Sequence, residues 1–208
     1  MEISKFIEHN YRHFNAAALR DAARGYVAHI ESGGGMIVTL GGAASTAEIG
    51  LSLAEMIRQD KVHAISCTGA NLEEDIMHLI SASHYERIPN WRYQTPDDDH
   101  KLCERNLNRV TDTAIPELEA FRTLEGALEQ VWDKAHKSGV GKLPHEFIYE
   151  IIKTGLLKHA YDKDPKESWV VAAAEKNIPM FVPGFEDSTT GNLFSGRLLL
   201  ERLSLIHI

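Results

Sequence analysis

The stretch KVHAISCTGANLEED, Lys61 to Asp75, limits what this chain can be more than any other. Val62 to Cys67 reads as a short, largely apolar strand, Thr68-Gly69-Ala70 as a turn of small residues, and Glu73, Glu74 and Asp75 as acids at the start of a helix. A strand, tight turn and helix in this order form the unit with which α/β proteins bind nucleotides. The strand ends in a crevice, and the helix N-terminus offers free N–H groups. The acids narrow the choice: they repel a phosphate but suit a ribose hydroxyl or a cationic amine. A purely structural reading stays open beside this one, since acids in a first helical turn complement the helix dipole without any ligand.

The flanking sequence extends the α/β pattern. Asn15 is a candidate cap for a helix to about Ser32, with Leu19, Ala22, Ala23, Tyr26, Val27 and Ile30 on one face, ended by Gly33-Gly34-Gly35. Met36 to Leu40 is a continuous apolar run that predicts a buried parallel strand. Gly41-Gly42-Ala43-Ala44-Ser45 and a helix from about Thr46 to Gln59 lead into the Val62 strand, a right-handed β-α-β crossover. Ser81 to Thr113, with the acids Asp97-Asp98-Asp99, reads as an irregular excursion holding one short helix near Lys101 to Asn106. Further helices are predicted from Pro116 (in the first turn) to about Lys137, from Pro144 to His159 and over Pro165 to Lys176. Ile178 to Val182 is a third buried strand, Gly184 to Thr190 a loop, and Gly191 opens a last helix. The fold class is therefore α/β: a Rossmann-like parallel sheet flanked by helices.

Composition removes several classes of function. The 208 residues carry a formal charge of −8, against the basic surface that non-specific nucleic-acid binding needs. No run is long and apolar enough for a membrane span, and MEISKFIEHNYRHF lacks the apolar core of a signal peptide. Cys67 and Cys103, the only cysteines, have no metal spacing and suit a reducing cytosol, so no metal and a cytoplasmic location are expected. His145-Glu146 lacks the second histidine of a zinc-protease helix, and no P-loop or nucleophile elbow is present. GGAAS permits close approach of a ligand or merely of a neighbouring element. Asp187, in FEDSTTGN after the third strand, is placed to accept from a ribose or amine, or to cap a turn.

Taken together, FNAAALRDAARGY (Phe14 to Tyr26), MIVTLGGAASTAEIGLSLAEMIRQDKVHAISCTGANLEED (Met36 to Asp75), NRVTDTAIPE (Asn108 to Glu117), LPHEFIYEI (Leu143 to Ile151) and NIPMFVPGFEDSTTGN (Asn177 to Asn192) resemble the deoxyhypusine synthase family, in its bacterial deoxyhypusine synthase-like branch. The resemblance implies a cytoplasmic transferase acting as a homotetramer with NAD as cofactor. In that chemistry NAD takes a hydride from the carbon beside the secondary amine of spermidine. The imine is split, and an aminobutyl group passes through an enzyme lysine to an acceptor amine, either a protein lysine or putrescine. By matching motifs, Ala44 and Ser45 fall where the first strand's loop meets NAD, and Thr68, Gly69 and Ala70 in the second NAD-contacting turn. Glu74 falls at the cofactor ribose, Glu73 at the polyamine, and Asp187 at the NAD-contacting aspartate of the later loop. Asn192 stands where eukaryotic members have a polyamine-binding aspartate, one negative charge fewer.

The family resemblance covers residues 1–195 and stops there. Family members are expected to continue for well over about a hundred residues more, a part that contains a substrate-site histidine, glycine-rich segments and the serine-tryptophan-glycine-lysine motif of the nucleophile. Here GRLLLERLSLIHI follows, and residues 196–208 read as a non-family tail produced by a frameshift, a premature stop or a gene fragment. An amphipathic terminal helix built on Leu198, Leu199, Leu203 and Ile206 is the competing reading. No lysine present matches the nucleophile's motif. The chain alone is thus expected to be inactive, with a non-catalytic NAD-binding or partner-binding paralogue as the alternative.

Overall fold

A computed structural model describes residues 2–201, with side-chain surroundings through residue 198. In chain order the elements are α1 (Ile3–Asn10), α2 (Phe14–Glu31), β1 (Ile37–Leu40), α3 (Gly50–Arg58), β2 (Ala64–Cys67) and α4 (Gly69–Ser81). Then come β3 (Glu86–Arg87), α5 (Pro96–Glu104), β4 (Leu107–Val110), β5 (Thr113–Pro116), a π-helical stretch (Glu117–Arg122) and α6 (Thr123–Ser138). The chain continues through α7 (Pro144–Thr154), α8 (Trp169–Lys176), β6 (Met180–Phe181) and α9 (Thr189–Glu201).

β1, β2 and β6 form a parallel sheet in that order, with Ile37 opposite Ala64 and Ile65 opposite Met180. The predicted α/β fold is therefore present. β2 is its central strand: Ile65 and Cys67 are buried in the core. β1 departs from expectation. Its apolar run predicts burial, yet it is an edge strand, and Ile37 is 63% exposed. An apolar run does not say on how many sides a strand is covered.

The core lies where α4 and α8 pack beside the sheet. α4 buries Leu72, Ile76, Met77, Leu79 and Ile80, and α8 buries Trp169 through Ala174. A helix apolar around most of its circumference belongs inside. α6 and α7 add Leu124, Leu128, Val131, Trp132, Phe147, Ile148 and Ile151. At about 1.5–3 kcal/mol for each large side chain removed from water, this cluster dominates the stability of the fold.

Several local expectations are corrected. Phe14 precedes Asn15 in α2, His13 stands at the cap position, and no side chain caps that helix. Nor does α2 bury any residue: Leu19 is 61% and Val27 56% exposed, and its tether to the body includes Tyr26 Oη donating to the Lys61 carbonyl at 2.7 Å. The excursion after α4 is ordered as a small antiparallel sheet in the order β3-β5-β4. Its helix starts at Pro96, five residues earlier than predicted, because Thr95 and Asp98 form a reciprocal capping box. Asp99 then clamps Arg109 of β4 through both oxygens, at 2.6 and 2.8 Å. Pro116 ends β5 and stands at the cap position of the π-helical stretch Glu117–Arg122, which runs directly into α6, so the expected helix is present but starts one residue later and is π-wound at first. The Pro165–Lys176 segment is broken at Ser168, where α8 begins. α9 passes through residues 195 and 196 without interruption; Leu203 and Ile206 of the expected tail lie outside the described residues, as does the side chain of Leu199. Among the described residues no helix is long and apolar enough to cross a membrane.

Candidate functional site

The site forms at the carboxyl ends of the parallel strands, where α4 begins. Thr68 is its N-cap: Oγ1 accepts from the Asn71 amide at 3.3 Å and from Asn71 Nδ2 at 2.8 Å. Starting the helix at Gly69 puts Glu73, Glu74 and Asp75 in its second turn, and no acid lies in the first. The dipole explanation for these acids is thereby weakened, since that effect fades beyond the terminal turn. What they do instead is read from their partners.

Asn71, Glu73 and Asp75 each hold a different segment. Asn71 donates through Nδ2 to the Gly42 carbonyl at 2.8 Å and accepts the Ser45 amide at Oδ1 at 2.9 Å. Ser45 Oγ in turn donates to the Asn71 carbonyl at 2.7 Å and accepts from Trp169 Nε1 at 3.0 Å. The buried Glu73 carboxylate accepts the Thr189 and Thr190 amides at 2.9 and 2.7 Å, and the Thr190 hydroxyl at 2.7 Å. It therefore caps the start of α9. Asp75 accepts from the Ser168 hydroxyl and from the Val170 amide at 3.1 Å, while Ser168 Oγ accepts the Val171 amide at 3.0 Å. Together they cap α8. Burial raises the Asp75 pKa to about 6, against the pull of these donors.

Glu74 is different. The Thr46 backbone N–H donates to its carboxylate, yet Oε2 is buried with no hydrogen-bond partner. Burial first, then the adjacent Glu73 carboxylate, pushes its pKa up to about 7. A buried acceptor without a donor costs about 1–3 kcal/mol and calls for an explanation such as a ligand. The Thr46 Oγ1 and Tyr85 Oη atoms are likewise buried without partners.

The sequence-predicted residues converge on this region. Glycine is required at position 69: an added Cβ would lie 2.6 Å from Ser188 Cβ and 3.3 Å from the Phe185 ring. That contact, with the Glu73 bonds to Thr189 and Thr190, brings the α4 N-terminus against the 184–190 loop and so places Glu74 and Asp187 at the same end of the sheet. Asp187 is exposed in a 3-10 turn over Phe185–Asp187. Asn192 is exposed too, and its Nδ2 donates to the Ser188 carbonyl at 2.9 Å within the first turn of α9. Ala44 and Ala70 are half-buried beside the two turns. Ser45 and Thr68 lie in the two turns, and their hydroxyls are engaged within the protein.

Residues the sequence did not single out include Asn71, Thr46, Ser168 and Tyr85. Asn71 carried a legible signal, an amide three residues after a threonine cap. Tyr85 carried none, because it reaches α4 only through the fold. Among the described residues no group of three or more His, Cys, Asp or Glu is placed to hold a metal.

The deoxyhypusine synthase family model matches residues 7–199. "Probable deoxyhypusine synthase 1" of Archaeoglobus fulgidus is 28% identical over 179 residues, covering 86% of this chain and 53% of the relative. A "deoxyhypusine synthase-like protein" of Chlorobaculum parvum is 29% identical over 157 residues, covering 75% of this chain and 41% of the relative. The crystal structure of an Entamoeba histolytica protein assigned as a deoxyhypusine synthase superposes with a TM-score of 0.54 at 15% identity, over 84% of this chain and 50% of that one, which bears on the fold alone. The chain spans about half the length of the curated relatives it matches. With the family model matching nearly from end to end, this chain belongs to the deoxyhypusine synthase family.

Proposed function

We propose that the crevice between the α4 N-terminus, the 43–49 turn and the 184–190 loop binds NAD. The chain would supply this dinucleotide-binding part to an aminobutyl transfer from spermidine or a related polyamine to an amine acceptor, a protein lysine or putrescine. The observation that carries the reading is Glu74. It is the one acid of the three with a buried oxygen left unpaired, and a ribose hydroxyl is the donor that satisfies it. The residues present thus fit the cofactor, which when bound would accept a hydride from the carbon beside the substrate amine.

Each residue then has a distinct task. Glu74 accepts from the ribose, and exposed Asp187 on the adjoining loop is free to accept from a second hydroxyl or an amine. Gly69 and Ala70 keep the turn thin enough for close approach of the ligand to the backbone. Toward the polyamine the role of Glu73 is indirect, since its carboxylate fixes the start of α9, the helix carrying Asn192.

Calorimetric titration with NAD tests this. Glu74→Gln removes a charge-assisted hydrogen bond worth about 1.5–3 kcal/mol, so the Kd rises roughly ten- to a hundredfold. Glu73→Gln changes the Kd less and lowers the melting temperature instead, because it weakens the α9 cap. Equal NAD affinity for wild type and Glu74→Gln would sink the assignment.

A further inference from the structure

We propose that Lys163 is a positioning residue of the dinucleotide crevice: its ammonium clamps Glu48 and so holds the 43–49 turn in the conformation that faces the ligand. This role rests on the dinucleotide reading of the crevice and falls to a residue outside every motif of the sequence.

The 43–49 turn is tied down at its start and open at its end. Ser45 is buried and bonded to Asn71, and the Thr46 amide donates to Glu74, whereas Ala47, Glu48 and Ile49 are exposed. Glu48 also has a φ of 55°, in the left-handed region. A residue other than glycine costs about 1–3 kcal/mol there and keeps that conformation only where its surroundings hold it. What holds Glu48 is an ionic triangle. Lys163 Nζ donates to Glu48 Oε1 at 2.6 Å, His78 Nδ1 lies 3.1 Å from the same oxygen, and Lys163 Nζ and His78 Nδ1 are 3.2 Å apart. A second carboxylate, Glu167 just before α8, pairs with Lys163 at 3.2 Å.

The backbone of Lys163 is fixed as firmly as its side chain. Its amide and that of Asp162 donate to the Leu79 carbonyl at 3.2 and 2.9 Å, and the Asp162 carboxylate accepts the Ser83 amide at 2.6 Å. The 162–163 segment is thereby docked on the C-terminal end of α4, and the lysine side chain reaches back past His78 to the turn. Only 18% of that side chain is exposed, so its pair with Glu48 is screened less than one at an open surface. Glu48, His78 and Lys163 line one cavity of about 20 Å³, room for a single water. Asp75, Asp164 and Glu167 line it too, and among the described residues of its wall Lys163 is the sole lysine or arginine. Without that charge the acids repel one another, and Glu48, on the least secured segment, is the one that moves.

The test is hydrogen–deuterium exchange of the whole chain and of Lys163→Met, Lys163→Arg and Glu48→Gly, with NAD titration and a thermal melt of each. The amides of Ala47, Glu48 and Ile49 bond to the carbonyls of Ala43, Ser45 and Ala44 within the turn. In Lys163→Met they are expected to exchange about three- to tenfold faster, and the Kd for NAD to rise by a similar factor. Lys163→Arg restores both, because it returns the charge. Glu48→Gly removes the group that the lysine grips, so adding Lys163→Met to it changes the Kd no further. Should Lys163→Met not fold, Glu48→Gln breaks the same pair from the other side and is expected to show the same two changes. A merely structural lysine gives a different pattern: the melting temperature falls while exchange in the turn and the Kd stay at wild-type values, and the proposal is overturned. Equal losses of affinity from Lys163→Met in the wild-type and Glu48→Gly backgrounds overturn it as well, since the lysine would then act without Glu48. If Glu74→Gln weakens NAD binding while Lys163→Met binds like wild type, the positioning role fails and the dinucleotide reading survives. Absence of NAD binding by the wild-type chain overturns both.

Discussion

Glu73 and Glu74 differ in how many N–H groups are aimed at them. Glu73 receives two backbone amides and a hydroxyl; Glu74 receives one amide and keeps a bare oxygen. The bare oxygen makes Glu74 sensitive to pH. Its folded-state pKa of about 7 lies above the ordinary glutamate value, so folding favours the protonated form. Stability from this group is gained as pH falls through about 7 and lost as pH rises. Ligand binding runs the other way, because a ribose hydroxyl donates best to the carboxylate. NAD affinity is expected to fall about tenfold per pH unit below about 7 and to level off above it, with Glu74→Gln flattening the profile. A flat wild-type profile between pH 5.5 and 8 would contradict this. His78 and His145, whose pKa values burial lowers, oppose the stability trend below about 6.5, where unfolded histidines charge. The sequence shows three consecutive acids and no more. Which of them is left over depends on Thr189, Thr190 and Ser168, more than ninety residues away, and no local pattern records those pairings.

At the scale of elements, the small-residue turns were legible and the reasons for them were not. CTGANLEED announces a strand, a turn and a helix from glycine, a threonine cap and periodicity alone. That Gly69 is needed because Ser188 lies against it emerges only when β2 and β6 are paired. Gly191 is a stronger case. An added Cβ there would lie 2.0 Å from the Phe185 carbonyl oxygen, a backbone atom that cannot swing aside. Gly191→Ala is therefore expected to cost about 1–3 kcal/mol or more, by forcing α9 away from the 185–188 turn. A urea melt with an unchanged midpoint would show that this packing is looser than described. The excursion between α4 and α6 was misread for a related reason. Its strands are short and pair only with each other, so their signal is a Thr-Pro-Asp-Asp cap and a hairpin turn at Thr111, whose φ is 54°.

The whole molecule leaves apolar surface uncovered. Ile3, Phe6, Phe14, Leu19 and Val27 on the first two helices are exposed, as are Ile37 on the outer edge of the sheet and Phe181. The amphipathic stripe of α2, plain in the sequence, is present, but among the described residues Leu19 and Val27 stay exposed on it, since periodicity tells that a face seeks burial and not where it finds it. Such surface favours association. Sedimentation velocity is expected to show concentration-dependent self-association, and Leu19→Lys with Val27→Lys to reduce it. A single monomer peak at all concentrations would refute the expectation.

The three helical attachments of α4 have a consequence in time as well as in space. The amides of Ser45, Val170, Thr189 and Thr190 belong to segments scattered across the chain, yet every one donates to a side chain of this helix. A protected amide proton trades with solvent deuterium only when its acceptor lets go. One helix therefore sets the exchange of all of them. In a hydrogen–deuterium experiment they should exchange as a group at the rate of α4 itself, long after the turns around them have exchanged.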